Sequence, residues 1–221
     1  MRRLICVVAT GWLASGAIAQ EGKGVQPGQR LPGPFPAYVV TAPAGKPSTE
    51  AVQPEERVNL GDRARVGKFH DFVTHFGLAP TVAIVSRSAP PAADQPLAKL
   101  VQALDKAVEE KKNARLNAFV VFLGLKGDYL KDDTRVAQVK AIEAFADQLK
   151  LKNVPTAIDL TESARTKSFG IGAETPVTVF VYDGNHMVKA RFDLGGDKPL
   201  DDAAVKAVLD EVAKLVGPLK K

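Results

Sequence analysis

The chain has 221 residues, one cysteine and a formal net charge of +5, from thirty basic and twenty-five acidic side chains. That length suffices for one sizeable core. The charge is too mild for a nucleic-acid interface, no Lys/Arg run is interleaved with aromatics, and no segment beyond the first twenty residues is apolar enough to span a bilayer.

Arg2 and Arg3 precede a short apolar run from Leu4 to Ala14, and Ala17-Ile18-Ala19 supplies small residues where a signal peptidase reads them. This is the three-part pattern of a secretory signal. Residues 1–19 are therefore expected to be cleaved before Gln20, and the product to be periplasmic or secreted, with no membrane association afterwards. Cys6 lies inside the signal, so the expected mature chain has no cysteine. Export permits disulfides, and without them stability must come from the core. Loss of Arg2 and Arg3 leaves twenty-eight basic against twenty-five acidic residues, or +3.

Residues 20–57 form an arm rich in Pro and Gly, densest at Pro32-Gly33-Pro34-Phe35-Pro36, of the kind that makes linkers or extended segments. Within it Ala37–Thr41 is β-prone and predicts a strand laid against the domain. Residues 58–217 carry the folded domain, and 218–221 a basic tail ending in Lys220-Lys221. Val58-Asn59-Leu60 predicts a short strand. Thr81–Val85 has the unbroken apolar character of a buried strand. Asp94 is the expected cap of a helix with Leu97, Leu100, Val101, Leu104 and Val108 on one face. Ala118–Leu123 predicts the next buried strand. Thr134 is the expected cap of a second helix, with Val136, Val139, Ile142, Phe145 and Leu149 facing inward. Pro155–Ile158 predicts a third strand, followed by a short helix capped by Thr161 and ended by Gly170. Val177–Tyr182 and Met187–Leu194 predict a hairpin across Asp183-Gly184-Asn185. Asp201 caps a last helix with Val205, Val208, Leu209, Val212 and Val216 on its core face. The order is β-α-β-α-β-α-β-β-α, an α/β arrangement that predicts a central sheet covered by helices on both faces.

That order, together with Gly170-Ile171, the run Thr175-Pro176-Val177-Thr178-Val179-Phe180-Val181-Tyr182-Asp183-Gly184-Asn185 and the return Val188–Phe192, resembles the thioredoxin-like superfamily. The likeness is to its branch of peroxiredoxins and exported thiol-disulfide proteins. Pro27-Gly28 through Phe35, followed by Gly45-Lys46, loosely resembles that branch's Pro-rich lead-in. The layout extends over residues 26–216, the motif only over 169–192. The resemblance implies a mixed central sheet and a cis bond between Thr175 and Pro176, beside a groove that takes extended peptide. It also implies a reactive cysteine after the first core strand, at the start of the first long helix, where the helix N-terminus lowers a thiol pKa. This chain reads Ser86-Arg87-Ser88-Ala89-Pro90-Pro91 there. A serine without an adjacent base is a poor nucleophile and has no disulfide state.

The cluster Lys68–His75 is the only one with ligand-type side chains. His70 and His75 are five residues apart and do not align on a helix face as a spacing of four does. Asp71 brings no fourth partner, so a polar surface segment is favoured over a metal site built on His70, Asp71 and His75. His186, in the hairpin turn, is expected in solvent. Gly170-Ile171-Gly172 lacks the third glycine of a dinucleotide loop and follows a helix. Glu109-Glu110 and Asp132-Asp133 read as solvated charge beside lysines. The expectation is an exported thioredoxin-fold protein without catalytic residues, cofactor or thiol redox activity, acting as a binding or scaffold module for an unidentified peptide or protein. The alternative is a non-thiol, possibly metal-dependent, enzyme on the same scaffold.

Overall fold

Two strands of the sheet interior, β3 (Thr81–Ser86) and β6 (Val177–Tyr182), are buried at every residue. The computed structural model describes residues 24–42, 66–125 and 133–219. The signal, Val58–Leu60, Asp132 and the last two lysines lie outside them. β1 (Pro36–Thr41), β2 (Phe69–Asp71), β4 (Asn117–Leu125), β5 (Thr156–Leu160) and β7 (Val188–Leu194) complete a seven-stranded sheet in the order β2-β1-β5-β4-β3-β6-β7. β3, β4 and β5 run parallel, while the pairs β1–β2, β1–β5, β3–β6 and β6–β7 are antiparallel. From β3 onward the element order is the expected one, with the hairpin turn at 183–187 and a last helix after it. The sheet is mixed and the architecture α/β, as expected.

α2 (Pro96–Glu110) joins β3 to β4, and α3 (Asp133–Leu149) joins β4 to β5. Crossovers between parallel neighbours are right-handed, so two successive steps in one direction put both helices on the same face. α5 (Asp202–Val216) joins them, and Leu100, Leu104, Ile142, Phe145, Val208 and Val212 meet the inward residues of that face in one core. Among the described residues the opposite face has two short helices, α1 (Phe72–Phe76) and α4 (Ala164–Ser168). The N-terminal arm covers the rest: Val25, Leu31 and Phe35 pack with Phe72, Phe119 and Phe180 in a second core. Helices thus lie on both faces, but unequally, and proline-rich chain supplies what short helices cannot.

Three caps differ from expectation. α2 is capped by Gln95 rather than Asp94, and makes no side-chain cap bond; Pro96 at its first turn presets the backbone instead. α3 already starts at Asp133, ahead of Thr134. α4 is capped by Ser163, in a reciprocal pair with Thr166, because Thr161 is engaged by β4, its N–H donating to Leu125 O at 2.8 Å. Asp201 does cap α5, accepting from Ala204 N.

Candidate functional site

Ser86, Arg87 and Ser88 close β3 at the C-terminal ends of the three parallel strands, where open α/β sheets hold their ligands. The Ser86 side chain is fully buried and its hydroxyl donates to Ser88 O at 3.0 Å. Arg87 turns back across the strand ends with only 11% of its side chain exposed. Its Nε donates to Gly172 O at 2.8 Å, Nη1 to Thr161 O at 2.9 Å and Nη2 to Ile171 O at 3.1 Å. The Glu162 carboxylate, 3.5 Å away and 62% exposed, adds little. The guanidinium is thus committed to carbonyls of the chain between β5 and β6. Arg191 grips the preceding carbonyls from the other face, donating to Phe169 O and Gly170 O while pairing with Asp193.

Beside Arg87, on the α3 side, lies a cleft of about 340 Å³. Phe122, Ile142 and Ile158 form its apolar walls, and Ser88, Ala89 and Pro90 its rim. Its floor is Gly124, where the β4–β5 register shifts between Leu123 and Leu125. Such a bulge takes a residue out of the ladder. The Gly124 carbonyl accepts from Gln138 Nε2 at 2.8 Å, and Gln138 Oε1 is buried without a hydrogen-bond partner. Sequence reasoning missed Gln138 and Gly124. A glutamine on a helix and a glycine in a strand become a site only when a bulge sets one under the other.

The Thr175–Pro176 bond is trans, as no described peptide bond is cis, contrary to the geometry implied by the resemblance. β6 begins at Val177, so Pro176 stands before the ladder, where a missing N–H costs nothing. Its carbonyl accepts from Arg87 N at 2.7 Å. The structure therefore brings Thr175-Pro176 against the Ser86–Ser88 turn, but neither residue lines the cleft.

The segment around His70, Asp71 and His75 is not a simple surface loop: it forms β2 and α1 and buries Phe72 and Val73. Asp71 caps α1, its Oδ1 accepting from Phe35 N at 2.8 Å and Val73 N at 3.1 Å, and its Oδ2 from Thr74 N at 3.3 Å. The His70 and His75 rings contact each other edge to face with centroids 4.9 Å apart. Among the described residues no three His, Cys, Asp or Glu side chains are grouped to hold a metal ion. His186 is half-buried rather than in solvent: its ring lies 6.1 Å from that of Tyr182, because Leu31 N pairs with His186 O and draws the arm over the turn. Burial pushes the Tyr182 hydroxyl well above the ordinary tyrosine range; Thr81 lies nearby, but its hydroxyl donates to Ala79 O. Gly170 ends α4 with φ +64°, and a Cβ there would meet Gly24 Cα at 1.9 Å, so its glycine serves backbone packing and not phosphate. Glu109 pairs with Lys112 and is 54% exposed, as solvated charge should be, whereas Glu110, paired with Lys106, is only 15% exposed, contrary to that expectation.

No protein-family model and no curated protein sequence matches this chain. Solved structures do. A protein from Chlorobium tepidum described as a candidate thiol:disulfide interchange protein DsbE is 12% identical, with a TM-score of 0.55 over 87% of this chain and 99% of that one. AhpC from Mycobacterium bovis is 12% identical, with a TM-score of 0.52 over 90% and 97%. Peroxidoxin BcpB from Mycobacterium tuberculosis is 15% identical, with a TM-score of 0.50 over 86% and 97%. At these identities the likeness is one of fold, and the fold is thioredoxin-like.

Proposed function

We propose that this thioredoxin-fold chain is exported, has no thiol redox activity and acts by binding a peptide or protein partner. The observation that carries the reading is Arg87. Where the resemblance calls for a reactive thiol, the chain places a guanidinium that donates to Thr161 O, Ile171 O and Gly172 O. Ser86 supports the same reading, since its buried hydroxyl is bonded to a carbonyl and not to a base. Cys6 is the only cysteine and falls within the expected signal. Export rests on that signal pattern. The apolar cleft beside Arg87 offers a surface for recognition, and apolar concavities with few polar groups are what binding sites look like.

The test is direct. Purified mature protein, free of contaminating thioredoxin, is expected neither to reduce insulin disulfides nor to consume hydrogen peroxide with a thiol donor. Turnover in either assay, above that of a heat-inactivated control, would sink the reading.

A further inference from the structure

We propose that the cleft between α3 and the Ser88–Pro90 rim binds an apolar carboxylate, its charged group drawn to the Arg87 guanidinium and its apolar body held between Phe122, Ile142 and Ile158. This rests on the reading of the cleft as the chain's recognition surface and adds the chemistry that surface takes.

The charge comes first. Arg87 lines the cleft with 11% of its side chain exposed, and among the described residues no other ionisable side chain lines it. Thr161 O, Ile171 O and Gly172 O orient the guanidinium, but as neutral groups they leave its charge standing. Neither Asp159 nor Glu162 cancels it. Asp159 is buried and taken up by Arg165 at 2.8 Å, while Glu162 reaches Nη1 only at 3.5 Å and is 62% exposed. A long, exposed pair of that kind contributes little. A nearly buried cation held mainly by neutral oxygens is costly, so the cleft has a positive end that a guest anion relieves. The apolar walls, by excluding water, strengthen that attraction.

Position, charge and size narrow the guest. Nη1 bonds to the backbone of Thr161, itself a lining residue, so the positive end lies at the Thr161 wall. Phe122, Ile142 and Ile158 make the other walls apolar. One cation beside apolar walls selects a single negative charge on an apolar body. A phosphate monoester or a dicarboxylate brings more charge than Arg87 neutralises, and the excess would lose its hydration for nothing. A carboxylate brings one charge in the planar form that a guanidinium pairs with best. About 340 Å³ is at the lower end of small-molecule pockets, room for one ring or a short branched chain and not for a long acyl tail. The C-terminal residue of a peptide and a free aryl or short-chain acid both present this group. Ser88 and Ala89 are exposed on the rim, so the mouth also leaves room for the residues that precede a peptide's C-terminus.

The experiment uses the purified mature chain and calorimetry with two acid–amide pairs: acetyl-Ala-Ala-Phe and its C-terminal amide, and phenylacetate and phenylacetamide. At least one acid is expected to bind saturably, and its amide about tenfold more weakly, the value of a charge-assisted contact. Ala141 lines the cleft from an exposed α3 position, so a charge can be added there without entering the core. The acid should bind Ala141→Glu about tenfold more weakly than Ala141→Lys, while the amide binds the two alike. Arg87→Met should lose the preference for the acid; if that variant does not fold, the Ala141 pair carries the test. The proposal is overturned if neither acid saturates, if the amide binds as tightly as its acid, if a folded Arg87→Met keeps the preference, or if the two Ala141 variants bind the acid alike. Binding of the tripeptide acid supports a peptide C-terminus as the source, whereas binding of phenylacetate alone supports the carboxylate and overturns the peptide. An overturning result in a chain still inert toward disulfides removes the cleft assignment alone, and disulfide reduction or peroxide turnover would remove the reading beneath it.

Discussion

Arg87 stabilises the molecule through carbonyls rather than through a carboxylate. Three backbone oxygens from two separate turns converge on one planar fork, and one of them, Gly172 O on an exposed residue, also accepts from Thr175 N at 3.4 Å. Arg87→Met keeps the aliphatic stem and is expected to cost about 1–3 kcal/mol in urea unfolding, since the carbonyls of Thr161 and Ile171 would lose a charged donor. Arg87→Lys should recover less than half of that, because an ammonium is a compact point donor and cannot span the fork's geometry. Asp183 works by charge at the hairpin turn. Burial pushes its carboxyl pKa up, but the Lys189 ammonium and the N–H groups of Asn185 and Met187 outweigh this, and the pKa falls below the ordinary aspartate range. A carboxyl lowered on folding stabilises above its unfolded pKa of about 3.9 and loses that contribution as pH falls through the native value. Asp183→Asn should therefore cost about 1 kcal/mol at pH 7. The gap from wild type should close as pH drops from about 4 toward 2. A gap that stays constant over that range would show that charge is not what the turn uses.

The N-terminal arm works as an element of the fold although it has little regular structure before β1. Gly28 N donates to Val188 O, Val188 N to Gln29 O and Leu31 N to His186 O, so the arm extends the pairing of the hairpin turn. Phe35 is 2% exposed and meets Phe169 edge to face with centroids 5.0 Å apart. Phe35→Ala should cost about 3–5 kcal/mol, the usual range for a buried phenylalanine. A cost near zero in thermal or urea unfolding would mark the arm as an appendage. The same element explains the close approach at Gly24 and Gly170: the arm crosses the end of α4 with no room for a side chain on either strand of the crossing. Arg191 locks that crossing by donating to Val25 O as well as Phe169 O.

For the whole molecule, two cores on either side of one sheet supply the stability, since a chain with one cysteine forms no internal disulfide. If the signal pattern is used as proposed, protein expressed with its native leader should begin at Gln20 by mass spectrometry. It should then titrate no thiol with Ellman's reagent under denaturing conditions. An N-terminus at Met1, or one thiol per chain, would show that the leader is retained.

What was legible from the residues follows from what period and composition encode. Buried strands such as Thr81–Val85 are continuous apolar runs and the α2 face repeats at helical spacing, so the element order from β3 onward could be read directly, and the resemblance carried by residues 169–192 added the thioredoxin-like layout; β2 and α1 were not read. Ser86, Arg87 and Ser88 were equally plain, because which side chains follow β3 needs no coordinates. The remainder depended on partners distant in sequence. Arg87 reads as a surface cation until Thr161, Ile171 and Gly172 are brought to it. Thr175-Pro176 carries a familiar motif, yet its trans bond is set by where β6 begins and by the Arg87 N–H. The arm's proline content predicted extended chain but not which face of the sheet it would cover. That was decided by both crossovers placing α2 and α3 on one side, which left the other apolar face to be buried by the arm. Gln138 became an acceptor without a donor only because a bulge at Gly124, two elements away from Arg87, turned one carbonyl out of the ladder.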